Sequence, residues 1–176
     1  LLELQRAGRL RRPEDPDSVV PGEAAACLLV DRFPQRALAS LGAPGFGLES
    51  ATLWNELPHR ADGLVEAAAN ALAASGYDLA DMDARISDAA GESLDFREQA
   101  LLISRLLDRR KLSFPLLLPC AVLGDVGVAG PLCGVVQAIA TYQRRYAAGP
   151  RSIVFARDHQ GPRAAVVVEA PGEHRQ

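Results

Sequence analysis

The chain has 176 residues, 48% hydrophobic and 23% charged, with a formal net charge of −3. That length and balance suit one globular domain with a real core. A mildly acidic chain has no electrostatic reason to bind nucleic acid or an anionic membrane, and no apolar run approaches the roughly 20 residues that span a bilayer.

Among the 19 basic residues only Lys111 is a lysine, a bias that reads as genome composition and not as a phosphate-binding patch. The opening Leu1-Leu2-Glu3-Leu4-Gln5-Arg6 mixes charges into apolar positions, so no secretory signal is expected. Cys27, Cys120 and Cys133 lie in apolar surroundings with no CxxC spacing. They are expected to be buried, reduced thiols of a cytoplasmic protein. His59, His159 and His174 are scattered, which argues against a zinc cluster, and no metal or other cofactor is expected.

Leu1 to Leu10 reads as the tail of a helix that began upstream, and Arg11 to Val20 as a polar, proline-bearing loop. Gly22 to Asp31 is predicted to be a strand, its near-continuous apolar run matching a strand covered on both faces. Phe33 to Glu49 is turn-rich and leaves room for a short strand near Leu41 to Leu48. Ala61 to Ser75 reads as a helix that places Leu64, Ala68, Ala71 and Leu72 on one face and stops at Gly76. Ala84 to Ala90 is a short strand. Asp95-Phe96-Arg97-Glu98 has capping-box spacing and opens a helix to about Arg109.

Leu116 to Leu123 is a second wholly apolar strand, followed by a helix from Gly127 or Pro131 to Ala148. Ile153 to Ala156 and Arg163 to Glu169 form a hairpin around Arg157-Asp158-His159-Gln160-Gly161-Pro162. This alternation predicts an α/β layered domain with a mixed sheet. Residues 1–170 form the domain and 171–176 a disordered tail.

From Gly127 to Ala140 the long helix carries no charge, and Gln137 is its one strongly polar residue. A helix apolar all round is buried on all sides, and one sheet covers only one of them. A missing half, a second copy or another partner is expected on the rest, with Gly130 and Gly134 admitting a close backbone.

Four segments, in order, resemble the C-terminal half of the β-ketoacyl synthases, condensing enzymes of the thiolase-like superfamily. Pro21-Gly22-Glu23-Ala24-Ala25-Ala26-Cys27-Leu28 is similar to the strand that opens that half. Asp88-Ala89-Ala90-Gly91-Glu92, then Asp95-Phe96-Arg97-Glu98, sits where the family has its first catalytic histidine loop. Cys120-Ala121-Val122-Leu123-Gly124-Asp125 sits where it has its lysine and second histidine. Gly161 to Glu169 resembles the closing strand. The resemblance covers about residues 1 to 169. It implies the C-terminal half of a thiolase-like fold, with a mixed five-stranded sheet and helices on both faces. A half-fold carrying the nucleophilic cysteine would precede Pro21.

The family's reaction needs a thiolate that attacks an acyl thioester and two histidines that stabilise the enolate left by decarboxylation. By the resemblance, the first histidine position is Ala90, the second is Asp125 and the lysine is Cys120. Ala90 has no polar side-chain atom, and a carboxylate at Asp125 repels an enolate. The scaffold residues match and the reactive ones do not. The expectation is a β-ketoacyl-synthase-like domain, of the acyltransferase class by family, without decarboxylative condensation. It binds acyl thioesters or an acyl carrier protein, or supports a catalytic partner such as a ketosynthase. The alternatives are an acyltransferase or thioester hydrolase with its nucleophile in the missing half, and a non-catalytic oligomerisation domain. Asp125, His159, Gly161 and Arg163 are the candidate substrate-binding residues.

Among the remaining candidates, Cys120 lacks an evident activating neighbour and reads as structural. Asp125 before a helix start reads as a cap, and Asp88, Asp95 and Asp125 bind Mg²⁺ only if the fold gathers them. Phe46 and Trp54 read as residues packed under a loop, and Arg144-Arg145 as complements to a helix C-terminus.

Overall fold

Strands rich in Val, Ile and Ala, buried on both faces, organise the molecule. The computed structural model describes residues 2–11, 17–32, 36–52 and 54–172. In chain order the elements are α1 (Leu2–Arg6), β1 (Ser40–Leu41), β2 (Gly45–Leu48), α2 (Asp62–Ser75), β3 (Ala84–Ser87), α3 (Ser93–Leu106), β4 (Leu116–Leu117), α4 (Cys120–Leu123), α5 (Gly130–Gln143), β5 (Arg151–Arg157) and β6 (Pro162–Glu169). The six strands form one sheet in the order β1-β6-β5-β3-β4, and β2 also pairs with β6. β3 runs parallel to β4 and β5, whereas β6 is antiparallel to β5, β1 and β2.

Successive residues of a strand face opposite sides, and β5 shows the result. Ile153 and Phe155 pack with Leu64, Ala67, Ala68, Ala71 and Leu72 of α2 and Leu102 of α3. Val154 faces the other way, onto Val135 and Ala138 of α5. β6 repeats the pattern, with Ala165 and Val167 toward α2 and Val168 toward α5. Helices therefore cover both faces, as expected. No helix among the described residues is long and apolar enough to cross a membrane.

The sheet has six strands, one more than the sequence predicted, and they are drawn partly from different segments. The turn-rich stretch supplies two, β1 and β2, both on β6. The predicted strand at 22–31 does not form. Its start makes a single bridge, Pro21 to Asp125, and beyond that Leu29 and Val30 are exposed. A strand needs an open edge to pair with, and β1 and β2 occupy that of β6. Gly22 serves close approach: a Cβ there would lie 1.8 Å from the Leu123 carbonyl oxygen. Cys27, in this segment, is exposed and not buried as expected.

The apolar run at 116–123 changes element part-way. Pro119 supplies no N–H to a ladder, and its carbonyl accepts from the Val122 and Leu123 amides to start α4. The helix predicted from Asp95 begins earlier, at Ser93, whose amide donates to Asp17 Oδ1 at 2.5 Å. Asp95 is thus an inward-facing first-turn residue and not the cap. α5 ends at Gln143, short of the predicted Ala148, because the chain turns at Arg145 with φ 58°. Gly130 and Gly134 turn inward, contrary to the expectation of a partner's backbone. A Cβ on Gly134 would lie 2.9 Å from Val154 Cγ1, and one on Gly130 would lie 3.1 Å from Asp88 Cβ. The outer face of α5 carries Val128, just before it, then Leu132 and Val136, one helical turn apart and all exposed. Of the expected tail at 171–176, residues 173–176 lie outside the described residues.

Candidate functional site

The parallel strands β3, β4 and β5 end on the same side of the sheet, where clefts form in α/β folds. The segments that follow them are 88–92, 118–127 and 158–161. They bring together residues far apart in sequence. Ala90 and Cys120 are buried in one cluster with Val19, against Val126. Next to them Asp125 Oδ1 accepts the Gly127 amide at 2.8 Å, a local turn bond; the 3₁₀ turn Gly127–Ala129 has Val126 at its N-cap and no side-chain cap, contrary to the expectation for Asp125. His159 Nε2 stands 3.9 Å from Asp125 Oδ2, within ion-pair range but too far for a hydrogen bond.

Sequence reasoning missed the centre of this arrangement. Arg157 closes β5, and its side chain is 11% exposed. Its amide donates to Asp88 Oδ2 at 2.9 Å, its Nη2 lies 2.9 Å from Asp95 Oδ2 and its Nη1 3.8 Å from Glu92 Oε2. Arg9, from the N-terminal segment, donates from Nε to Glu92 Oε1 at 2.8 Å. Arginine in a hairpin loop reads as solvated, and nothing local in the sequence marks it as buried. Only the β5 register brings it beside β3 and α3. Asp88, Asp95 and Asp125 do not form the close cluster that the Mg²⁺ reading required; Asp88 takes the Arg157 amide and Asp95 its guanidinium.

The charges follow from burial. Burial pushes the Asp88 carboxyl up to about 6 and that of Asp95 up to about 7, with Arg157 opposing both shifts. Burial also works against the Arg157 charge, yet the carboxylates of Asp95, Asp88 and Glu92 outweigh it and raise its pKa. His159 holds Asp125 below the ordinary carboxylate range, against the effect of burial. The Cys120 thiol is pushed up to about 11 by burial, and Asp88 and Asp125 add to the shift. This end of the sheet thus disfavours a thiolate at Cys120. Asp125 and His159 are its partly exposed polar groups.

The other two candidate residues have structural partners of their own. Arg163 shares the β6 face of Ala165 and Val167, toward α2 and α3, and its Nε donates to Glu98 Oε1 at 2.9 Å. Gly161, at φ 116°, accepts the Glu49 amide through its carbonyl at 2.9 Å and so ties the hairpin turn to β2. Phe46 and Trp54 are exposed, contrary to the packed positions expected of them, whereas Arg144 and Arg145 do directly follow the C-terminus of α5.

Comparison with solved structures decides the fold. The chain superposes on a ketosynthase/chain length factor of ishigamide biosynthesis with a TM-score of 0.75 at 15% identity, over 97% of this chain and 50% of that one. The chain has a thiolase-like, ketosynthase-like fold. An oxazolomycin ketosynthase domain from Streptomyces albus gives a TM-score of 0.66 at 18% identity, over 78% of this chain and 46% of that one. A ketosynthase from Xenorhabdus doucetiae, in complex with its chain length factor, gives 0.65 at 15% identity, over 80% and 40%. The chain spans at most about half the length of these structures. No protein-family model matches the sequence, and no curated protein sequence matches it.

Proposed function

We propose that this domain is the C-terminal half of a ketosynthase-like protein that does not condense and instead supports a catalytic partner in polyketide or fatty-acid assembly. One observation carries the reading. The positions that the sequence resemblance aligns with the two catalytic histidines are Ala90 and Asp125, at the end of the sheet where Asp88, Glu92 and Asp95 surround Arg157. Decarboxylation builds negative charge on a thioester oxygen, and catalysis needs donors aimed at that charge. Here an alanine supplies no donor and a carboxylate supplies the wrong sign.

Association with a partner agrees with two of the neighbours, a ketosynthase/chain length factor and a ketosynthase bound to its chain length factor. Another neighbour is a type II ketosynthase bound to its acyl carrier protein, with a TM-score of 0.68 at 9% identity. An acyl carrier protein bearing an acyl thioester is therefore the substrate-side partner we infer. The row Val128, Leu132 and Val136 is the surface we assign to the other half-fold or a ketosynthase partner. We place the protein in the cytoplasm, where the free thiols of Cys27, Cys120 and Cys133 stay reduced.

The test is turnover by the full-length protein. Incubated with malonyl-loaded and acyl-loaded carrier protein, it should release no carbon dioxide above background, while a ketosynthase control does. Condensation or decarboxylation by the purified protein alone would overturn the proposal.

A further inference from the structure

Glu49, at the end of β2, His59, in the connection to α2, and Glu98, on α3, bring one ligating atom each to within 4.8 Å of one another. The geometry points to a divalent-cation site made by these three residues, with zinc as the ion that suits them best.

Burial is the first argument. Glu49 is 3% exposed, and the side chains of His59 and Glu98 are 7% and 4% exposed. The second argument is the imidazole. Neither ring nitrogen of His59 makes a hydrogen bond, although Nε2 stands 3.2 Å from Glu98 Oε1. A buried polar group without a partner is costly and calls for a reason. Here the unpartnered ring faces two carboxylates. Zinc takes imidazole nitrogen and carboxylate oxygen at about 2.0–2.2 Å, so neighbouring ligands in a tetrahedral site lie about 3.3 Å apart. The His59–Glu98 pair already has that spacing. Magnesium and calcium favour oxygen-only sets, which the histidine argues against.

The surroundings fit a cation. Two carboxylates and Arg163, which bonds Glu98, leave one net negative charge for a divalent ion to meet. Arg163 also orients Glu98, as partners of metal-bound carboxylates do. Glu49 is held by the amides of Ala51 at 3.3 Å and Gly63 at 3.2 Å. Three protein ligands leave a fourth position for water. The ion would clamp the connection between β2 and α2 onto α3. The site uses none of the side chains around Arg157.

Metal binding is read directly. Full-length protein, stripped with a chelator, is titrated with zinc chloride in a Cys27→Ser/Cys133→Ser background that removes accessible thiols. The expected result is one zinc per chain in the micromolar range or tighter, with a higher thermal midpoint. His59→Gln and Glu49→Gln should each weaken binding more than about ten-fold. Cobalt(II) bound to the Cys27→Ser/Cys133→Ser protein with His59 and Glu49 intact should show four-coordinate d–d bands without a thiolate charge-transfer band, a readout that does not depend on the His59 and Glu49 variants folding. Absence of stoichiometric binding, binding unchanged by His59→Gln, or a thiolate or six-coordinate cobalt spectrum would each overturn the site.

Discussion

Asp95 and Asp88 hold their protons more tightly in the folded chain than an unfolded chain would, because burial raises both pKa values, to about 7 and about 6. The folded state therefore binds more protons than the unfolded state between the ordinary carboxylate value and about pH 7. Stability must rise as pH falls through that window, and the penalty is fully present above it. The lowered carboxylates, such as Asp17, Asp81 and Asp125, act in the opposite direction but only below the ordinary range. Urea unfolding should accordingly give a larger unfolding free energy at pH 5 than at pH 8. Asp95 alone accounts for roughly 3 kcal/mol of the difference, at about 1.4 kcal/mol per pKa unit. Asp95→Asn should flatten most of that slope, and an equally steep slope in the variant would remove Asp95 from the account. Little of this was legible beforehand. Asp88, Asp95 and Asp125 stood out as carboxylates, but their environment depends on Arg157, 62 positions beyond Asp95 in the chain.

At the scale of elements, glycine spacing was read correctly as a sign of close approach and assigned to the wrong neighbour. Gly134 meets Val154 and Ile86 of its own sheet. Replacing a helical glycine by alanine ordinarily gains about 1 kcal/mol. Here the added methyl would meet two stiff β-branched side chains, and overpacking of this kind costs about 1–3 kcal/mol. Gly134→Ala should therefore lower the denaturation midpoint slightly, and Gly134→Val should lower it severely; a stabilised alanine variant would show that α5 can retreat freely. α2 and the β5–β6 hairpin were legible because their apolar patterns and stop or turn residues are local, whereas the end of α5 was not. The runs at 22–31 and 116–123 were misread because an apolar run does not state whether an edge is free to pair, and Pro119 redirects the second.

At the scale of the molecule, the outer face of α5 remains apolar. Val128, in the 3₁₀ turn before it, is 96% exposed, Val122 of α4 is 89% exposed, and Leu132 and Val136 of α5 itself are exposed too. Surfaces of this kind mark association sites. Leu132→Glu with Val136→Lys should leave the fold intact by circular dichroism, since neither residue is buried. The pair should abolish self-association or complex formation measured by analytical ultracentrifugation with a ketosynthase partner. Undiminished association would move the interface elsewhere.

The sequence by itself determined the α/β layering and the course of the main helices and the hairpin. These rest on periodicity, local stop signals and residue identity. Only the tertiary structure decided which strands pair, that Arg157 reaches both Asp88 and Asp95, that Arg163 pairs with Glu98, and that His59 meets Glu49 and Glu98. Pairing and charge environment are set by long-range contacts. An arginine or a histidine reads the same in sequence whether the fold leaves it in water or buries it among carboxylates.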